Sequence, residues 1–483
     1  MSSLRWLRLN ETGLEALPYE LTKLKKLEHL TLTKNELNSL HKNVAELSNL
    51  RFLNCRHNKL SNTGVPSELF TLNDLTVVDL SYNKLTEVPP ALETAKGIVV
   101  LNLSHNEIVN IPTQLFITLR DLTHVDLSDN KLEVLPPQLR RLTNLKTLNI
   151  NNNPLMHAQL RQLPNMTSLE TLYMRNTQRT PNNFPAGLDK LDFLADVDIS
   201  CNELPRLPEA LYSVPTLKRL NISHNEITEL SSLIDNWENL ETLNVSRNKL
   251  TELPTSLCKL TNLKKLYANG NQLDFNGIPA GIGKLCNLEV FSVANNNLET
   301  IPEGVCRCGK LKKLILNTNR LITLPDAIHY LEDLEVFDVR ENPDLVIPPK
   351  PPDIAQGSGI EFYNIDFSLQ NQLRLAGQAP KPQGEAPRPK DPHARKMRLR
   401  KRRDGAGESE KVLKGMKDVA KEKEKLTQQE ESAQPLKVKR WDENLHRPDL
   451  DYSDIYEEDV GQLPGITCWE IENFLPNQIE DGK

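Results

Sequence analysis

The pattern L-x-x-L-x-L-x-x-N-x-L returns along most of this chain. Its first apolar residue falls at positions 4, 27, 50, 75, 98, 122, 145, 169, 194, 217, 240, 263, 288, 311 and 334. These fifteen units, 23 to 25 residues apart, constrain the fold more than any other feature. A period of this length means that one supersecondary unit stacks on the next. In "LETLNVSRNKL", Leu243 and Val245 alternate with Asn244, as a short strand with one buried face requires. The following "TELPTSLCKLTN" supplies Leu253, Leu257 and Leu260 to the opposite wall. A single unit cannot cover these leucines, whereas stacked neighbours can. Each buried Leu is worth roughly 1.5–3 kcal/mol relative to exposure.

The fold class expected from this period is α/β: a leucine-rich-repeat solenoid, a curved horseshoe with a parallel concave sheet. The ninth position carries asparagine because the bend after the strand strands backbone N–H and C=O groups inside the solenoid. A carboxamide supplies donors and an acceptor together. The expected ladder is Asn35, Asn58, Asn83, Asn106, Asn130, Asn153, Asn202, Asn225, Asn248, Asn271, Asn296, Asn319 and Asn342, a structural set without a catalytic role. Units one and eight carry Thr12 and Thr177 at this position, so irregularity is expected there. The Leu-Pro or Val-Pro pairs after most units (Pro18, Pro89, Pro136, Pro208, Pro254, Pro325) set extended or turn geometry on the convex side and account for much of the 32 prolines. After the last unit, Ile360, Tyr363 and Ile365 have the spacing of a sixteenth strand, and Ser368 to Gly377 reads as a capping helix. Only three residues precede Leu4, so a preceding unit is expected.

The domain reading is therefore a solenoid with its C-terminal capping half-repeat at 1–377, a charged linker at 378–462 with a candidate helix at 408–430, and the opening of another module at 463–483. The linker begins Pro-rich and passes into a basic cluster of Arg395, Lys396, Arg398, Arg400, Lys401, Arg402 and Arg403, the pattern of a nuclear-import signal or an anion-binding patch. Residues 449–459, "DLDYSDIYEED", are acidic. Val412, Met416, Val419 and Leu426 give only a thin apolar stripe, too weak for a coiled coil.

The variable strand positions map a candidate partner-binding concave face, on the order of 70 Å long at about 4.8 Å per unit. The first units place Arg5, Trp6, Arg8, Arg51, Phe52, Arg56 and His57 there; the middle places Asp79, Asp126, Asp129, Asp196 and Asp198 beside Tyr82 and Tyr173; the last third places Lys218, Arg219, Lys264, Lys265, Tyr267, Lys312 and Lys313. Basic–acidic–basic banding suits an elongated protein partner of alternating charge. An ordinary solvated sheet face is the alternative.

Other classes of function find little support. With 59 basic and 65 acidic residues and a net charge of −6, no global field directs the chain to nucleic acid. Seven irregularly spaced cysteines, of which only Cys306 and Cys308 are close, lack the spacing of a zinc site and read as reduced thiols. No N-terminal apolar segment reads as a signal, and no run reaches membrane-spanning length. "GIGK" at 281–284 lacks the spacing of a phosphate-binding loop. The N-x-S matches, such as Asn102 and Asn244, fall within the repeat itself. His57 and His105 share a repeat position but lie two units apart, too far to hold one metal. No catalytic constellation stands out, so neither an enzyme nor a cofactor is expected.

The closing "LPGITCWEIENF" has Pro464-Gly465, Trp469 and an apolar run through Phe474, and looks like the first strand of a gelsolin repeat. With "YNIDFSLQNQLRLAG" and "ARKMRLR", the combination resembles gelsolin-superfamily members that carry N-terminal leucine-rich repeats. The resemblance covers nearly the whole chain and implies actin-cytoskeleton regulation. It further implies that the solenoid recruits proteins, Ras-type GTPases or coiled-coil partners among them, in the cytoplasm and cytoskeleton and also in the nucleus. Actin severing, capping and calcium response belong to the gelsolin repeats, so actin is expected as a partner only of a longer form. A Ras-suppressor-like signalling scaffold without actin activity is the competing assignment, and the closing motif argues against it. Nucleic-acid binding through residues 395–403 is a third reading, and salt-dependent binding without sequence preference would reduce it to charge attraction.

Overall fold

The computed structural model describes residues 3–156, 160–331 and 333–348. The expected sixteenth strand, the capping helix, the basic cluster, the candidate linker helix, the acidic segment and the closing motif all lie outside the described residues. Within them, fifteen three-residue strands run from β1 (Trp6–Arg8) to β15 (Val336–Asp338) and pair in chain order into one parallel sheet. Register is constant, because each strand's middle residue faces the next strand's middle residue, as Leu7 faces Leu30 and Leu243 faces Leu266. One unit, one strand: each apolar residue at the fourth position lands on its counterpart.

The opposite wall consists of single turns, mostly 3-10, with two α-helical turns at Leu115–Thr118 and Glu209–Tyr212. Proline initiates most of them. Pro18, Pro136, Pro254 and Pro325 sit just ahead of a turn at φ between −60° and −67° and ψ between 136° and 146°, which their rings favour before helical backbone begins.

Between the walls the leucines form one continuous buried core from Leu17 to Ile347, with Leu4, Leu7, Leu9 and Leu14 packed against its first end. Trp237 is its largest member; its indole N–H donates to the Leu211 carbonyl at 3.0 Å and its ring stacks on Tyr212 at 5.1 Å. Two convex turns approach closely around Gly283 and Gly304. A Cβ on Gly304 would stand 2.5 Å from the Ala280 carbonyl oxygen, so backbone packs directly on backbone there.

The asparagine ladder spans adjacent units. Asn106 donates from Nδ2 to the carbonyls of Leu80, one unit back, and Leu103, in its own unit, at 3.1 and 3.0 Å, while its Oδ1 accepts the Leu85 N–H at 3.0 Å. Asn58, Asn130, Asn248 and Asn342 repeat this arrangement. At the first unit Thr12 is held from the other side, its N–H and Oγ1–H both reaching Asn35 Oδ1, at 3.0 and 2.9 Å. At unit eight the Thr177 hydroxyl donates to the Met174 carbonyl at 2.8 Å and its N–H to Asn202 Oδ1 at 3.1 Å. The buried Arg179, two residues on, ties this junction through other carbonyls: Nε and Nη2 reach the Thr177 carbonyl at 3.1 and 2.9 Å, Nη1 reaches Asn183 at 3.2 Å, and Nη2 also bonds the Leu155 carbonyl of the preceding unit. Burial alone lowers this guanidinium to about 10.

Candidate partner-binding surface

Each unit presents five positions to the concave side: the second, third and fifth across the strand, then the seventh and eighth where the chain turns away. The eighth is left-handed in nearly every unit, with φ near 50–57° at Glu11, Lys34, His57, Tyr82, His105 and Asp129. Because the register is constant, each position forms a column of side chains one strand apart, about 4.8 Å.

The columns largely satisfy themselves. In the second-position column Arg5 faces Glu28 at 3.5 Å, Lys146 faces Glu170 at 3.0 Å, Lys264 faces Glu241 at 2.7 Å and Lys312 faces Glu289 at 3.7 Å. The expected C-terminal basic band is thus partly neutralised from within. Its Lys265 and Lys313 lie half-buried on their strands, and Tyr267 is buried. Arg219 pairs with Asp196 in the third-position column.

The acidic middle departs further from a solvated face. Asp79, Asp126 and Asp198, in the fifth-position column, are buried, and Asp126 is only 5 % exposed. Neighbours one unit away cover them. Asp126 Oδ1 accepts the Ser128 N–H and hydroxyl at 2.9 and 2.7 Å, and Oδ2 accepts Asn149 Nδ2 at 3.1 Å. Burial pushes the Asp126 carboxyl up to about 6, against the lowering effect of those bonds. Burial raises Asp79 and Asp198 as well. Phe52 and Tyr173 are also buried, Phe52 in a closed apolar strip with Val77 and Val100. Five of the residues expected to meet a partner, Phe52, Asp126, Tyr173, Asp198 and Tyr267, therefore offer it little surface.

Two features of the first units were not read from the sequence. Trp6, 56 % exposed, stacks on His29 at 3.5 Å between centroids and 8° between planes, and His29 lies 5.5 Å from Phe52. In the eighth-position column Tyr82 is sandwiched between His57 and His105, at 4.0 and 3.8 Å, with Arg56 over its ring at 4.5 Å. His105 Nε2 continues the column to Asp129 at 3.2 Å. Desolvation is the largest effect on all three imidazoles and holds His29, His57 and His105 below the ordinary histidine value. The 23-to-25-residue spacing placed Tyr82 midway between the two histidines, so this stack was within reach of the sequence.

No group of three or more His, Cys, Asp or Glu side chains is arranged to hold a metal among the described residues. Cys55, Cys201, Cys258, Cys286, Cys306 and Cys308 carry free thiols, and burial pushes Cys306 up to about 12 and Cys308 to about 11. No helix among the described residues is long and apolar enough to cross a membrane.

The leucine-rich-repeat family model matches residues 96–155 and 215–273, and a second leucine-rich-repeat model matches 74–94. The fold is a leucine-rich-repeat solenoid. A leucine-rich-repeat protein of Leptospira interrogans superposes with a TM-score of 0.64 at 24% identity, covering 78% of this chain and 95% of that one. Over its whole length the chain is similar to flightless-1 homologues, 60% identical to that of Homo sapiens and 59% to that of Danio rerio. It spans 38% of the length of each, their N-terminal leucine-rich-repeat part. The resemblance drawn from the cap, the linker and the closing motif is borne out.

Proposed function

We propose that this leucine-rich-repeat chain is the partner-recruiting arm of an actin-organising regulator of the gelsolin superfamily, a protein-interaction scaffold and not an enzyme. The observation that carries this reading is the match of the entire chain to flightless-1 homologues at 60% identity, set on a solenoid whose fifteen parallel strands present one long concave face. In this reading the solenoid takes proteins, Ras-type GTPases or coiled-coil segments among them. Actin remodelling belongs to a longer form. The chain works in the cytoplasm and cytoskeleton, and residues 395–403 serve nuclear import.

The test uses the full chain with a photo-crosslinking residue placed singly at Thr76, Thr147 or Thr242, on the concave side, or at Glu133 or Arg140, on exposed parts of the other faces. Crosslinking of a purified Ras-type GTPase or coiled-coil partner concentrated at the strand positions is the expected result. Equal labelling from all five positions would refute concave recruitment. Co-sedimentation with filamentous actin should be absent, and filament severing by this chain would overturn the assignment. Substituting glutamine for the cations of 395–403 should reduce nuclear accumulation of a fluorescent fusion; unchanged accumulation would remove the import role.

A further inference from the structure

The self-pairing of the columns is incomplete in the first units. Arg51 is exposed, and its column neighbours are Thr76 and Glu28, the latter engaged by Arg5 at 3.5 Å. Arg56 has Thr33 and Ser81 beside it in its own column, and its guanidinium rests on the Tyr82 ring. Among the described residues no carboxylate is ion-paired with either arginine. Asp79 is buried, and burial raises its carboxyl despite the lowering effects of Ser81 and the Arg56 charge. In units one to three Glu28 and Glu11 are engaged by Arg5 and Lys34, so neither is free for Arg51 or Arg56. Trp6 projects from the same surface, braced by His29.

We propose that the concave face of units one to three is the solenoid's principal docking site, built for an acidic peptide segment whose carboxylates pair with Arg51 and Arg56 while an apolar side chain packs on Trp6. Three lines of physical chemistry support this occupant. Guanidinium groups form forked, charge-assisted bonds with carboxylates. Binding energy at protein interfaces concentrates on Trp, Tyr and Arg; units one to three present Trp6, Arg51 and Arg56, and Tyr82 of unit four lies under the Arg56 guanidinium. The two arginines also flank the closed apolar strip, Arg51 one residue before the strand Phe52–Asn54 and Arg56 two residues after it. A carboxylate-bearing segment laid across the columns meets both. In the C-terminal band Lys264 and Lys312 already have carboxylates in contact; Lys218 there stands beside Ala195 and the engaged Glu241, with no exposed tryptophan on its strand or the two flanking it. This site deepens the scaffold reading, on which it rests, by naming where and what the scaffold binds.

The experiment measures fluorescence anisotropy of a labelled twelve-residue peptide, Glu-Glu-Leu repeated four times, against the full chain. Its neutral counterpart, Gln-Gln-Leu repeated four times, is the control. The basic cluster at 395–403 is replaced by glutamine in every variant, so that it does not contribute. The acidic peptide should bind and the neutral one should not. Arg51→Glu with Arg56→Glu should weaken binding at least tenfold, and Trp6→Ala about fivefold, with circular dichroism unchanged. Lys264→Glu with Lys312→Glu should leave affinity within twofold. Equal binding by the parent and the Arg51/Arg56 variant overturns the site, as does loss of all peptide binding once the 395–403 cations are removed. If those results appear while the concave crosslinks to a protein partner persist, the scaffold reading stands and only this site falls.

Discussion

Replacing Asp126 by asparagine separates a binding role for the acidic middle of the concave face from a structural one. Asp126 is buried in a column that asparagine occupies on both sides, at Asn102 and Asn149. Asn102 makes the bonds that Asp126 makes through Oδ1: its own Oδ1 accepts the Ser104 N–H at 3.0 Å and hydroxyl at 2.8 Å. An amide therefore fits the site. Burial raises the Asp126 carboxyl from an ordinary 3.8 to about 6, a shift of roughly 2 units and so about 3 kcal/mol at about 1.4 kcal/mol per unit. The sign follows from proton binding. With the folded value raised, the folded chain holds its proton more tightly than the unfolded chain, so this group's stabilisation is complete below pH 3.8 and is lost as pH rises towards about 6. At neutral pH the ionised carboxylate is a cost to the fold.

Asparagine removes that cost but gives up the acceptor for Asn149 Nδ2, worth about 1 kcal/mol. Asp126→Asn should therefore stabilise the chain by about 1–2 kcal/mol at pH 7.5 and turn neutral or slightly destabilising near pH 4. Urea unfolding of both proteins at pH 7.5, 6, 5 and 4 measures this. Because long repeat arrays need not unfold in one step, hydrogen exchange of residues 124–130 gives the local value alongside. A difference that is constant with pH, or a variant less stable at pH 7.5, would refute the argument. So would retained stability accompanied by lost partner binding, since that outcome would make the carboxylate itself the recognition element.

Three further substitutions probe the ladder and its repairs. Asn106→Ala leaves the carbonyls of Leu80 and Leu103 and the N–H of Leu85 without the carboxamide; a loss of at least ~3 kcal/mol by urea titration is expected, and a loss under 1 kcal/mol would count against the ladder's role. Arg179→Met removes the donors that bridge units seven and eight; the relief of an uncharged core offsets part of the loss, and a net cost of about 2 kcal/mol should speed amide exchange in residues 171–179 roughly thirtyfold, while unaltered exchange would show that the guanidinium is dispensable. Gly304→Val forces a side chain against the Ala280 carbonyl; overpacking of about 1–3 kcal/mol is expected, with exchange rising in residues 280–307, and a variant as stable as the parent would mean that the convex turns have room to part.

The fold was legible because a period of 23 to 25 residues leaves a chain few ways to bury its leucines, and the strand positions follow from the alternation within each unit. The candidate surface was legible only in part. Alternation tells which side of a sheet a residue faces; it does not tell how much of that residue the next unit covers. Phe52, Asp126, Tyr173, Asp198 and Tyr267 face the concave side and are nonetheless buried, because a side chain one strand away, at about 4.8 Å, is close enough to shield it. Charges showed the same gap. Lys264 and Lys312 read as a free basic band when taken along the chain, yet down the column Glu241 and Glu289 stand beside them. The missing operation was to read the sequence in columns as well as rows. Done that way, Arg5 meets Glu28, Lys146 meets Glu170, and Tyr82 falls between His57 and His105, all from residue numbers alone. Unit eight was open to the same reading: Thr177 breaks the asparagine column, and Arg179 replaces leucine in the eleventh-position column between Leu155 and Leu204, where its guanidinium reaches the Leu155 carbonyl one unit back. Column reading also gives the absence of a partner a meaning. Where neighbouring units neutralise one another the face is finished, and where they do not, as at Arg51, a complementary carboxylate must come from another segment if the charge is to be paired.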